Sequence, residues 1–228
     1  MKKVLKVLLI ILILLAIALG TLAIWQWKNI ESIMLGIKEE STEIEKKRNE
    51  NQIKLVDDVN TYLDEPLREI TEEERQQIEE GKVTVSDVYQ KIFEEKKETL
   101  EQSGQKENTN SSLAKDEVIS RYMAELYKLQ NEFTAQAEST IKQGARYYEN
   151  KKAHPQDPVA RADTIAHFTP IVRKMESECD ARVEKVISDL KAELEKIGED
   201  TAIIASIRAT YANEKQLKLS YYANKYLK

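Results

Sequence analysis

Residues 170–201, PIVRKMESECDARVEKVISDLKAELEKIGEDT, carry the pattern that decides the fold. Val172, Met175, Cys179, Val183, Val186, Leu190, Leu194 and Ile197 recur at steps of three and four. That spacing puts apolar side chains on one face of an α-helix. Gly198 follows as a helix stop, and Asp200 or Thr201 can cap the next helix. At the other end, Thr169-Pro170 has the form of an N-cap followed by proline at the first helical position, where no amide hydrogen is needed. A helix is therefore predicted from 170 to 197.

Downstream, Ile203, Ile204, Ile207, Tyr211, Leu217 and Tyr221 predict a second helix from 201 to 228. The connection is three residues long, which makes the two helices antiparallel neighbours. Upstream, Ile119, Tyr122, Leu126, Leu129, Phe133, Ala137, Ile141 and Tyr148 predict a helix from Asp116 to Lys152. The stretch AHPQDP at 153–158 interrupts the pattern, and Asp157-Pro158 starts a short helix to 168. The three long helices predict an up-down-up antiparallel bundle over 115–228, about 40 Å long, with a loop region at 153–169.

Ahead of the bundle, residues 102–114 are polar and aperiodic, and read as a linker. Residues 65–101 read as a small helical hairpin. Thr71 with Glu74 forms a capping box, Gly81 stops the first helix, and Ser86 with Asp87 starts the second. Ile78, Val83, Val85, Val88, Ile92 and Phe93 are too little apolar surface to stand alone, so the hairpin must pack on a neighbour or move. Residues 28–64 carry a thin apolar stripe of Ile30, Ile33, Ile37, Ile44, Leu55, Val59 and Tyr62 among many charges. This fits a helical stalk that pairs with another helix, a copy of itself being one option, or else a single solvated helix lying against the next domain. Asn51 in the seam would fix register at a cost in stability. Pro66 ends the stalk.

At the start of the chain, the nineteen residues from Val7 to Trp25 hold no charge and are dominated by Leu and Ile. As a helix they match the roughly 30 Å hydrocarbon core of a bilayer. Lys2, Lys3 and Lys6 precede the run, and Trp25, Trp27 and Lys28 close it as an interfacial belt. Residues 7–27 are thus expected to be a single transmembrane helix. The cationic tail of residues 1–6 stays in the cytoplasm, and the bulk of the chain lies extracytoplasmically at the plasma (inner) membrane. A cleaved signal peptide is the competing expectation, with Ala16-Ile17-Ala18 and Thr21-Leu22-Ala23 as small-x-small patterns. Against it, the apolar run continues past both sites with no polar region before the cut.

Composition bounds the partners. Of the 35 Lys and Arg, three lie in the tail; the remaining 32 face 40 acids, a net charge of −8 beyond the span. An acidic, evenly mixed surface argues against nucleic acid, whose binders show a clustered basic face. Six glycines and four prolines in 228 residues, with a third of the chain charged, are long-helix composition. The single cysteine, Cys179, excludes an intramolecular disulfide. It sits in the apolar stripe as a small hydrophobe, or pairs across a dimer seam in an oxidising compartment. Richness in Lys, Glu, Ile and Asn is associated with low-GC bacteria.

Few residues carry chemistry. The bundle topology brings Tyr147-Tyr148 and Tyr221-Tyr222, with Tyr226 beyond, to one end beside the loop holding His154. A tyrosine cluster there would suit a partner surface or a sugar ring, or would cap the core. Asp163 and His167 lie four apart, with His154 and Asp157 nearby, but two histidines and no Glu-x-x-His pair leave no metal site expected. There is no nucleophile–base constellation and no glycine-rich phosphate loop, so neither an enzyme nor a cofactor is expected.

Together these features imply an all-α protein with one amino-terminal span, a helical or coiled-coil stalk, a small hairpin and a distal three-helix bundle. Its layout resembles that of bitopic coiled-coil envelope proteins, division-associated ones among them, with no residue motif tying it to a family. The expected role is a non-catalytic scaffold or adaptor of the bacterial envelope, binding itself or another envelope protein through helices. The alternative is a ligand-binding or sensory module using the tyrosine end.

Overall fold

The structure is a computed structural model, and it describes residues 31–32, 34–36, 38–104, 111–154 and 157–227. The expected span at 7–27, with Lys2, Lys3, Lys6, Trp25, Trp27 and Lys28, lies outside the described residues. Among the described residues no helix is long and apolar enough to cross a membrane. These residues form an all-helical bundle: α1 (Ser41–Asn60), α2 (Glu72–Glu79), α3 (Val85–Gly104), α4 (Ser111–Lys151), α5 (Pro158–Lys196) and α6 (Ile203–Leu227). The described residues between 31 and 38 are also helical, ahead of a bend at Glu39.

Local rules account for most helix ends. Thr71 and Glu74 form the capping box of α2: the Glu74 amide donates to Thr71 Oγ1 (3.2 Å) and the Thr71 amide to Glu74 Oε2 (3.0 Å). Asp157 caps α5, accepting from the amides of Val159 (2.9 Å) and Ala160 (3.1 Å), with Pro158 at the first helical position. A bond from the Ala153 amide (3.0 Å), together with these two, holds its carboxyl below the usual carboxylate range, with burial opposing. α3 is capped two residues before the expected Ser86. Thr84 caps it, accepting from the Asp87 amide (3.1 Å), while Asp87 Oδ2 accepts from the Thr84 amide (2.8 Å). The Ser86 hydroxyl instead donates to Asn131 Oδ1 on α4.

Gly81 and Gly198 end α2 and α5 at φ +68° and +78°. After Gly198 the Glu199 amide reaches back to the Leu194 carbonyl (2.9 Å), and the Gly198 amide donates to the Glu195 carbonyl (3.1 Å), a double closure of the last turn. A Cβ at 198 meets nothing within 4 Å, so a side chain there is opposed by backbone conformation alone. Gly198→Ala should cost about 1 kcal/mol, read as a lower urea midpoint with an unchanged slope.

Two expected boundaries differ. The break at Thr169-Pro170 is absent: α5 runs through with Pro170 inside it. The Thr169 hydroxyl donates to the Ile165 carbonyl (2.6 Å) rather than capping a new helix. Ala166 and Pro170 are both exposed, so the carbonyl that lacks an amide partner faces water. The linker expected at 102–114 is helical at both ends, α3 reaching Gly104 and α4 starting at Ser111, with 105–110 outside the described residues.

The chain divides into two compact units, and the division falls within α1 and α6. In the unit of Val56–Ile207, α3 packs along α4 and α4 along α5. The hairpin expected to need a neighbour thus finds one in α4. Phe93 stacks on Tyr127 (5.7 Å between ring centres), Tyr89 lies 6.0 Å from the same ring, and Ile92, Ile119 and Met123 are fully buried around them. Val183, Val186, Leu190 and Leu194 bury the inner half of α5. Ile203, Ile204 and Ile207 of α6 are buried in this unit too.

From Arg208 onward, α6 groups with the residues up to Leu55 instead of completing the expected three-helix bundle over 115–228. Within this second unit the pairing is antiparallel and carries a set of buried polar contacts beside Ile44 and Leu217. Asn51 donates to the Thr210 carbonyl (3.2 Å) and accepts from Asn213 (2.8 Å), while Arg48 donates to Glu214 (3.0 Å). Asn51, Thr210, Glu214 and Ser220 are all buried. The register residue of the stalk therefore has its partner inside the same chain.

Candidate interaction surface

α4 and α5 form an antiparallel hairpin, shown by Arg121 with Glu193, Arg182 with Glu132 and Tyr147 with Asp163. Its inner half is covered, its outer half is not. The change falls near Arg182, which grips Glu132 through two bonds (2.8 and 2.9 Å) and lies 5.1 Å over the Phe133 ring. That grip holds the Glu132 carboxyl below its usual range.

Beyond that point the apolar row of α5 continues with little cover. Ile165, Val172 and Cys179 lie at seven-residue steps, two helical turns each, from the buried Val186. They share its face, yet Ile165 is 59% and Val172 43% exposed, with Ile171 at 44% beside them and Val159 at 77% toward the tip. Cys179 and Met175 are half-buried. Cys179 makes no disulfide. From Arg161 to Arg182 no residue of α5 is buried. An apolar stripe that runs from core into solvent is the signature of a face that another element can cover.

At the tip, Tyr147 stacks on His167 (4.7 Å, 10° between planes), and Phe168 meets both rings edge-on. The Tyr147 hydroxyl donates to Asp163 (3.0 Å), and Lys151 lies 5.4 Å over the Tyr147 ring and 3.7 Å from Asp163. Gly144 leaves room for Phe168, whose ring lies 3.8 Å from where a Cβ would stand. Asp163 is occupied by Tyr147 and Lys151, and Asp157 by backbone amides. Among the described residues no group of three or more His, Cys, Asp or Glu is placed to hold a metal ion.

The tyrosines expected at one bundle end are divided between the two units. Tyr147 and the half-buried Tyr148, with Lys152 over its ring at 5.8 Å, belong to the Val56–Ile207 unit. Tyr221 and Tyr222 meet edge-on at 5.5 Å in the other unit, with Arg48 5.8 Å over Tyr221. Tyr226 lies in the helical backbone of α6, and its side chain is outside the described residues. His154 lies in the α4–α5 turn, where its carbonyl accepts from the Asp157 amide (3.2 Å). What sequence reasoning missed is the joining of His167 and Phe168 to Tyr147; the i to i+4 step from Asp163 to His167 was visible, but not the facing helix.

One cleft of about 300 Å³ lies over α3, α4 and α5, lined by Lys97, Lys128, Arg121 and Arg182 alongside Glu94, Glu125 and Glu132. Charges of both signs line it, with Arg182 and Arg121 committed to Glu132 and Glu193. Fold and surface together define the class: an all-α bundle carrying a half-covered helical hairpin. No protein-family model, no curated protein and no solved structure matches the chain.

Proposed function

We propose that this chain is a membrane-anchored helical scaffold or adaptor of the bacterial cell envelope, non-catalytic and working through helix-to-helix contact. Residues 7–27 span the membrane with residues 1–6 in the cytoplasm, and the chain from Lys28 onward is extracytoplasmic. The anchor is supported by the uncharged run from Val7 to Trp25 and its Lys and Trp flanks. The contact is supported by one observation above others: the exposed Ile165 and Val172, which with the half-buried Cys179 continue the buried face of α5. Self-association through the stalk loses its motive, because Asn51 is satisfied by Thr210 and Asn213 of the same chain. The α5 row takes its place as the contact, with a second copy of this chain as its first occupant. A ligand site at the tyrosine-rich tip has less support, since the Tyr147 hydroxyl is bonded to Asp163 and one ring face is covered by His167.

Disulfide trapping in native membranes tests this. In a Cys179→Ser background, Val172→Cys should give a dimer under mild oxidation, whereas Lys185→Cys, on a different face of α5, should not. Equal trapping at both positions would remove the α5 row as the contact.

A further inference from the structure

The antiparallel pairing of α6 with the start of the chain has a direction. Glu214 meets Arg48, Thr210 meets Asn51, and Asn224 meets Gly36 and Glu39, so residue n of α6 lies level with a residue near 262 − n. Each step toward the end of α6 is a step back toward the proposed span. The junction is built. Asn224 donates its amide hydrogens to the carbonyls of Gly36 (2.8 Å) and Glu39 (2.6 Å), where the short helical stretch ends and carbonyls lack helical donors. Lys47 closes on both Glu39 oxygens (2.6 and 2.8 Å) beside it. By this register Tyr221 lies level with about residue 41 and Leu227 with about residue 35. Seven residues separate 35 from Lys28, about 10 Å as helix and at most ~25 Å if extended.

The composition of this end of α6 changes sharply. Residues 215–228, KQLKLSYYANKYLK, hold four lysines, three tyrosines and no acid, in a chain with 40 acids in 228 residues. Lysine and tyrosine are the residues of a bilayer interface. The ammonium reaches anionic headgroups on a long apolar stem, and the phenol places an apolar ring with a polar tip at the same depth. Tyr221 and Tyr222 are each half-exposed at this level.

We propose that the end of α6, from Lys218 to Leu227, docks on the anionic headgroups of the membrane that residues 7–27 span, so that the stalk is held at the bilayer at two points. This rests on the anchor proposed above. The full chain, reconstituted in phosphatidylcholine vesicles with and without phosphatidylglycerol, provides the test. A nitroxide is placed by Lys225→Cys, or by Lys185→Cys on α5 as reference, in a Cys179→Ser background. With phosphatidylglycerol present, collision of the Lys225→Cys label with a water-soluble nickel chelate should fall several-fold below that of the Lys185→Cys label. In phosphatidylcholine alone most of that protection should vanish. Replacing Lys218 by Gln should also reduce it, with helix content unchanged by circular dichroism. A label at 225 as open to the chelate as the reference, in chain that resists alkaline extraction from vesicles, overturns the docking and leaves the anchor standing. Protection that is equal in both lipids overturns the anionic partner. Chain that washes off at alkaline pH overturns the anchor, and the docking with it.

Discussion

Asp116→Ala should lower stability by about 3 kcal/mol, the largest single loss expected from a polar residue in this protein. The Asp116 carboxylate is 1% exposed and sits at the start of the covered part of α4. Oδ1 accepts from the Asp64 amide (2.9 Å) and Oδ2 from the Glu65 amide (3.0 Å). These amides belong to the segment after α1, which Pro66 keeps out of helical geometry and which therefore has no helical acceptors of its own. Lys96, itself largely buried, lies 3.6 Å from Oδ2 and 3.1 Å from Glu65. Asn60 completes the turn by accepting from the Leu67 amide (3.0 Å). Truncation at 116 leaves two amides without their charged acceptor and weakens the hold on a buried ammonium. Asp116→Asn should cost less, about 2 kcal/mol, because it keeps the shape but presents one amide group to a donor. Urea unfolding of both variants at neutral pH checks the order. Near-equal, sub-kilocalorie losses would mean that water replaces the carboxylate.

Glu74→Gln should remove roughly 2–3 kcal/mol at neutral pH and almost nothing in strong acid. The Glu74 carboxyl is pulled down to about 2 from an ordinary 4.5, chiefly by hydrogen bonds from Arg68, with burial opposing and the Thr71 amide and Lys91 assisting. Arg68 donates to both oxygens (2.8 and 2.9 Å), and Lys91 of α3 lies 3.1 Å away. Arg68 also bonds Glu95 (2.6 Å), and the pair of carboxylates holds its guanidinium more firmly protonated than usual. Because the folded-state pKa is depressed, the stabilisation is fully present above the unfolded value near 4.5. It is lost as pH falls from there through about 2. The difference between wild type and Glu74→Gln should therefore shrink across that window. A gap constant from pH 7 to pH 2 would show that Glu74 acts through packing rather than charge.

How far the sequence carries this fold depends on which rules are local. The Thr71–Glu74 box, the stops at Gly81 and Gly198, and the Asp157-Pro158 start each need only neighbours within a turn, and each is present as read. Thr169-Pro170 has the same form as Asp157-Pro158, yet the helix continues, because an exposed turn tolerates one missing amide. A capping signature shows where a helix can start, and tertiary context decides whether it does. The pairing of α6 was hidden for a different reason. Counting apolar residues finds Ile203, Ile204, Ile207 and Leu217, which are buried, but it also picks the half-buried Tyr211 and Tyr221 and misses the buried Thr210, Glu214 and Ser220. Thr210 and Glu214 match Asn51 and Arg48 on α1, so the stalk finds its partner in its own chain through hydrogen bonds that the apolar period does not show, beside the buried Ile44 and Leu217. The α5 row was legible as a stripe, since Val172 and Cys179 stand in it. Its exposure was not, because whether a face is covered depends on how far the neighbouring helices extend.

Site-specific photo-cross-linking in native membranes tests the proposed scaffold most directly. A photoreactive residue replaces Val172 in the full chain, with Lys185 as the reference position, and adducts are identified by mass spectrometry. The expected result is one defined, stoichiometric protein adduct at 172, a second copy of this chain in the first instance, and none at 185. Adducts equally scattered from both positions, or lipid alone at 172, would contradict a docking role for the uncovered face of α5.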